Sequence, residues 1–253
     1  MKFKNLLLIL FTITLFACSA NKNLSLNSSK ENWDKAENFY SKKKYAKAAP
    51  LYEQIILERN SIYTAESQLK LAECYFKLER FSDAVFEYQE LIRLFPDNKN
   101  VNTAQFMIGV AYFEQSLSPH YSQYETDKAI DAFQTFIDKY PWDQRRSEAY
   151  DYIQKCHQKK IQKNYLAGYI YYKIDDYSSA LLYFDEIVNL GNKDEVELNS
   201  LYYSALIHYD RDDLEKLSAT LEKMREDFPN AKELSKIIKL TVKLDKKIKH
   251  QKK

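Results

Sequence analysis

The chain has 253 residues, a formal net charge of +2 and 29% charged side chains, so no global basic excess points to nucleic acid. Glycine is held to 3 residues, against a usual share of about 7 per cent, while there are 21 tyrosines and 14 phenylalanines. Charged segments this poor in glycine predict an all-α protein with short connections, its helices packed through aromatic rings.

The first element is apolar. LLLILFTITLFACSAN, Leu6 to Asn21, follows Lys2 and Lys4 and is too short for an ordinary membrane-spanning helix, which takes about 20 apolar residues. A basic start, a short apolar core and small residues at the exit describe a signal peptide over residues 1–17. Its end, Leu15-Phe16-Ala17-Cys18, resembles the bacterial lipobox. That resemblance implies diacylglycerol on the Cys18 thiol, cleavage just before it and acylation of the new amino terminus. Cys18 is therefore the expected lipidation site and contact with the bilayer, and no other cofactor is expected. One acyl chain holds a protein only marginally, at ~0.8 kcal/mol per buried methylene, whereas several anchor it stably. Loss of Lys2 and Lys4 with the leader takes the formal charge from +2 to 0. Residues 18–30 are rich in Asn, Ser and Lys and predict a flexible tether.

Internal repeats follow. AENFYSKKKYAKAAPLYEQI from Ala36, AECYFKLERFSDAVFEYQEL from Ala72 and GYIYYKIDDYSSALLYFDEI from Gly168 share one pattern. A small residue is followed three and four places later by aromatic residues. Then come a polar turn, an aromatic, an Ala three places on and an aromatic four beyond that. A further copy starts at Ala205, with Leu217 in place of the second Ala, and another at Gly109, where an insertion separates Phe113 from Ala129. The pattern resembles the tetratricopeptide repeat, whose period is about 34, and predicts five helix pairs in a solenoid. The small residues of helix A (Ala36, Ala72, Gly109, Gly168, Ala205) are expected where helix B crosses closely, facing the small residues of helix B (Ala48, Ala84, Ala129, Ala180). Tyr45, Phe81 and Tyr177 are expected to fill the space between repeats. Pro96, Pro141 and Pro229 follow second helices, and Gly191 is placed to end one.

From Arg145 to Lys173 there is no proline, and Gly168 is the sole glycine, so one long helix, or two with a minimal break, joins repeats three and four. The expected layout is repeats one to three over 31–143, the long helix with repeats four and five over 144–240, and a basic tail over 241–253, read as a solvated helix end.

No arrangement of residues points to catalysis or to a metal. His208 sits at an aromatic core position. Cys156 and His157 are adjacent, and adjacent helical side chains diverge by about 100°. Asp175-Asp176 and Asp212-Asp213 sit at turns, where Asp favours turn and cap positions. Cys74 and Cys156 read as buried thiols. Function must come from surfaces, and helical solenoids present grooves that bind peptide segments.

Repeats behind a lipobox resemble the BamD family, the lipoproteins of outer-membrane β-barrel assembly. The most specific parts are SPHYSQYETDKAIDAFQTFIDKYP, Ser118 to Pro141, which is similar to that family's extended loop and following helix, and KNYLAGYIYYKIDDYSSALLYF from Lys163. The resemblance implies a non-enzymatic scaffold on the periplasmic face of the outer membrane. Its C-terminal repeats would dock a BamA-like barrel protein, and its N-terminal repeats would offer a groove to unfolded outer-membrane protein segments. Tyr40, Lys44, Tyr75 and Lys77 are the groove candidates. The chain departs from the family at Tyr183, where a basic residue is common. The competing readings are another tetratricopeptide lipoprotein coordinating cell-wall synthesis or pilus assembly, for which the insertion Ser118 to Thr126 is the discriminator, and a nutrient-uptake lipoprotein, which would be about twice as long.

Overall fold

A computed structural model describes residues 29–59 and 61–251. The signal peptide, Cys18 and the tether up to residue 28 lie outside the described residues, as do 252–253 of the tail. The described chain is all-helical: α1 (29–41), α2 (Tyr45–Leu57), α3 (Thr64–Lys77), α4 (Phe81–Leu94), α5 (Val101–Gln115), α6 (Tyr124–Lys139), α7 (Arg146–Lys173), α8 (Tyr177–Leu190), α9 (Glu195–Asp210), α10 (Leu214–Asp227) and α11 (Glu233–Gln251). Ser29 and Lys30, expected in the tether, are already helical, and the buried Ser29 hydroxyl donates to the Glu58 carboxylate at the end of α2.

Each motif falls on one helix pair, α1/α2 to α9/α10. The small residues Ala36, Ala48, Ala72, Ala84, Ala129, Ala180 and Ala205 are all 0% exposed. In repeats three and four the glycine of helix A makes room for a ring of helix B. A Cβ on Gly109 would stand 2.7 Å from Phe133, and one on Gly168 would stand 2.8 Å from Phe184. Those rings occupy the motif position held by Tyr52, Tyr88 and Leu221 in the other repeats, and Tyr52, Tyr88, Phe133 and Phe184 are fully buried. Burying such a side chain contributes about 1.5–3 kcal/mol. Tyr45, Phe81 and Tyr177, expected between repeats, close their own turns, 5.4 Å from Tyr40, 5.4 Å from Phe76 and 6.0 Å from Tyr172; Tyr177 also reaches the next repeat, where its hydroxyl donates to Asp210 at 3.3 Å and Arg211 stands 5.8 Å from its ring.

A second regularity lies four residues before each small position. In repeats two and three Gln68 and Gln105 are buried and reach backbone carbonyls of their own helix B, Glu87 at 3.5 Å and Ala132 at 3.2 Å. In repeats one and four Asn32 and Asn164 reach side chains one turn further on, Gln54 and Glu186, each at 3.3 Å. A carboxamide thus ties the two helices of four repeats.

The A-to-B turns are built alike. Lys43, Glu79, Asp175 and Asp212, seven residues after the small position, have positive φ of 56, 59, 60 and 54°. In each, that residue's N–H bonds three residues back and the next N–H five back, as Glu79 to Phe76 and Arg80 to Tyr75 at 3.0 and 2.9 Å. This is the Schellman ending of a helix, which usually takes glycine. Gly191 closes α8 in the same left-handed region, at φ 64°.

The chain divides into two compact units. The first holds residues up to 116 and 124–156. In it α2 to α6 pack each on the next, and Ala149, Ile153 and Cys156 of α7 join the core around Phe106, Phe133 and Phe136. The second holds 117–123 and residues from 157 onward. Its cores are an aromatic group around Phe184 and Tyr203, and an aliphatic one shared by α9, α10 and α11. The uninterrupted α7 belongs to both units, which meet along the chain between Cys156 and His157. The segment read as a basic tail is, over its described residues, the second half of α11, where Leu244 is buried along with Leu234 and Ile237. No helix of the described residues is long and apolar enough to cross a membrane.

Candidate functional site

In the first unit, Trp33, Glu37 and Tyr40 recur along α1 at spacings of four and three, which puts them on one helical face. The Tyr40 hydroxyl donates to Glu73 Oε2 of α3 at 2.6 Å. Lys70, one turn before Glu73, donates to the same carboxylate at 2.9 Å and stands 4.4 Å from the Tyr40 ring. Glu37 accepts from the Tyr52 hydroxyl at 2.5 Å. Trp33 stacks on Tyr63 at 5.2 Å and meets Tyr52 edge-on at 5.7 Å. The result is a half-buried face of tryptophan, tyrosine, lysine and glutamate between α1 and α3.

The electrostatics keep this face from being reactive. Burial, then Glu73, holds the Tyr40 phenol far above its usual range, and burial with Glu37 does the same for Tyr52. Both remain O–H donors. Burial works against the charge on Lys70 and is the largest single influence, but the bond to Glu73 together with the charges of Glu73, Glu37 and Glu66 outweighs it and raises the lysine's pKa. The buried Cys74 thiol is pushed up to about 12, by burial first and Glu73 second, so it carries no thiolate. Such a face can stack on and hydrogen-bond a peptide, and it holds no activated nucleophile.

The four sequence-selected residues do not converge. Tyr40 lies in this cluster. Tyr75 is one motif position earlier, which turns it to another side of its helix. It is 7% exposed, its hydroxyl donates to Glu53 of α2 at 3.4 Å, and Arg80 stands 4.2 Å from its ring. Lys44 is exposed at the start of α2 and makes no side-chain cap bond. Lys77 is exposed at the end of α3, 5.8 Å from the Phe76 ring. Trp33, Glu37, Lys70 and Glu73 were missed, although the spacing along α1 signalled the first two.

In the second unit the insertion takes an ordered form. Gln123, 7% exposed, donates to the carbonyls of Ser118, Tyr121 and Ser122, and Lys163 of α7 donates to Tyr121 O at 2.9 Å. Tyr183, where the family often has a basic residue, stacks on Tyr171 with ring centres 5.7 Å apart. His208 is 8% exposed and burial lowers its pKa, consistent with a packed neutral ring. Among the described residues no three His, Cys, Asp or Glu side chains gather to hold a metal.

Among solved structures the chain is similar to the TPR2AB domain of yeast Sti1 in its pHSP90 complex, at 14% identity and a TM-score of 0.42, covering 86% of this chain and 98% of that one. It is similar also to a tetratricopeptide repeat protein of Parabacteroides merdae, at 14% identity and 0.40, covering 85% and 99%. A third likeness is to MamA, at 15% identity and 0.35, covering 81% and 97%. No curated protein matches the chain. The family model YfiO, outer membrane lipoprotein, matches residues 26–189, which runs from before α1 through α8 and includes the insertion. The chain belongs to this family of outer membrane lipoproteins, the YfiO or BamD family.

Proposed function

We propose that the protein is a non-enzymatic scaffold of the outer-membrane β-barrel assembly machinery, tethered to the periplasmic face of the outer membrane through acylated Cys18. Its C-terminal repeats dock a BamA-like barrel subunit, and the Trp33–Glu37–Tyr40 face of its N-terminal repeats receives unfolded barrel segments. One observation carries this reading: the family match spans residues 26–189, a range that takes in repeats one to four and the inserted loop Ser118 to Thr126, the element read as separating it from lipoproteins of cell-wall synthesis or pilus assembly. Tyr183 stacked on Tyr171 supports a contact with the barrel subunit that rests on aromatic packing and not on an arginine.

The test is a gentle-detergent pull-down of tagged protein from cell envelopes, with Cys18→Ala alongside, read by mass spectrometry. Near-stoichiometric recovery of a large barrel protein with periplasmic repeat domains is the expected result, with Cys18→Ala released from the membrane fraction. Recovery of cell-wall synthases or pilus subunits without such a barrel would overturn the reading. Tyr40→Ala together with Glu73→Ala is expected to weaken capture of unfolded barrel segments while sparing the barrel subunit.

A further inference from the structure

A cleft of about 650 Å³ opens between α2 and α4 with α3 as its floor. Its walls carry Leu57 and Phe86, with Leu94 at the far end of α4, and these are 76, 58 and 46% exposed. Large apolar side chains gathered this way mark a surface that expects a cover.

The floor is polar in one sense only. Gln68, 2% exposed, spends its amide N–H on the Glu87 carboxylate, which fixes which way the amide points. Its Oε1 is buried and has no hydrogen-bond partner among the described residues. The Thr64 hydroxyl is spent on Ser61 O at 2.8 Å. These two donors of the floor are committed, and what remains there is an amide oxygen beside a carboxylate. Burial pushes the Glu87 carboxyl up to about 7; Gln68 opposes the shift, and Glu53 of α2 with Glu90 and Asp83 of α4 add to it. Two cations line this cleft with Glu53, Glu87 and Glu90: Arg93, which is held by Glu90 at 2.5 Å, and Arg59, two residues past the end of α2. Glu87 thus sits among carboxylates in a partly dry place, a site for a cation to occupy.

We propose that this cleft docks a partner polypeptide segment in which a lysine or arginine is flanked by aliphatic side chains. The aliphatic groups cover Leu57, Phe86 and Leu94, and the cation donates to Gln68 Oε1 and to the Glu87 carboxylate. The site lies between the B helices of repeats one and two and uses none of the residues assigned above to barrel segments, so it stands apart from that reading.

A library of random dodecapeptides is selected against the full-length mature chain in mild detergent. Enriched sequences are expected to place Lys or Arg between aliphatic residues. Their affinity should fall at least tenfold on Glu87→Gln and on Phe86→Ala, both checked for helicity by circular dichroism, and should be unchanged by Trp142→Ala, a 95%-exposed site outside the cleft. Because a bound cation favours the ionised carboxylate, affinity should rise by up to about tenfold from pH 6 to pH 8 in the parent and stay flat in Glu87→Gln. Acidic or neutral consensus sequences, no enrichment, or binders indifferent to Glu87→Gln would overturn the proposal. So would self-association in sedimentation that Phe86→Ala abolishes, which would make the occupant a second copy. Leu57→Ser gives an independent wall variant should Phe86→Ala lose helicity.

Discussion

In the second unit the turn from helix A to helix B is written Asp175-Asp176 and again Asp212-Asp213. The first Asp of each pair takes the left-handed conformation, and the second caps the next helix by accepting from Ser179 N–H at 3.2 Å and Lys216 N–H at 3.0 Å. In the first unit the same backbone is written Lys43-Lys44 and Glu79-Arg80, and neither Lys44 nor Arg80 makes a side-chain cap bond. A basic residue at a helix N-terminus opposes the helix dipole, and an uncapped one forgoes about 1 kcal/mol. Arg80 recovers part of this by pairing with Asp83 at 2.7 Å and lying over Tyr75; Lys44 does not have an equivalent carboxylate one turn on, since Lys47 stands there. The geometry is therefore indifferent to charge, and stability alone does not choose the residues at this edge of the first unit. The same edge carries Lys44 and Lys77, both exposed.

The comparison can be broken most forcefully in the cores. Phe133→Ala and Phe184→Ala each remove a fully buried ring and are expected to cost about 3–5 kcal/mol. Hydrogen exchange should show the loss confined to the unit that holds the ring. An equal loss of protection in both would mean that the units unfold as one. A smaller effect separates residues that share one motif position. The Tyr52 hydroxyl has Glu37, whereas the buried Tyr88 hydroxyl has no partner among the described residues. Tyr88→Phe should stabilise by about 1 kcal/mol and Tyr52→Phe should destabilise by a similar amount, read by urea unfolding. If both shift stability in the same direction, the repeats are less alike than their backbones suggest.

The turns give the next test. Asp176→Ala and Asp213→Ala should each cost about 1 kcal/mol, and Lys44→Asp should gain about 0.5–1 kcal/mol. No gain from Lys44→Asp would show that the first unit's turns are already satisfied in another way. Smallest of all, Lys43→Gly and Glu79→Gly should raise stability by a few tenths to about 1 kcal/mol by relieving positive φ, and Asp175→Gly by less, because Asp tolerates that region better. Thermal melts of the three variants would rank them.

Much of this architecture was legible because the motif records volume. A glycine or alanine is tolerated where a ring from the partner helix fills the space, so Gly109 and Gly168 announced helix crossings in a chain with few glycines. The long α7 was legible from the lack of breakers between Arg145 and Lys173. The aspartate pairs at 175–176 and 212–213 marked two of the turns, but the left-handed residues Lys43 and Glu79 were not legible, since they stand where glycine is the usual signal. The carboxamide ties at Asn32, Gln68, Gln105 and Asn164 were hidden by varying residue type, as only the chemistry recurs. In α11, lysines obscured the apolar recurrence Leu234, Ile237, Thr241, Leu244 and Ile248, whose spacing is that of one buried face. Two of the groove candidates fall on different faces. Tyr40 and Tyr75 look equivalent as aromatics, but one residue along a helix turns a side chain by about 100°, which separates a ring on the α1–α3 face from a ring packed toward α2.

The loop at 117–123 belongs to the second unit while the chain on either side of it belongs to the first. No single cut in the polypeptide therefore yields both halves whole. A fragment ending near residue 156 keeps the loop but lacks Lys163, which holds Tyr121 O. A chain emerging amino-terminus first can complete its first core as soon as Cys156 is free, yet must hold this one short stretch in waiting until α7 has emerged further. Order of arrival, and not only contact energy, decides when the inserted loop acquires its shape.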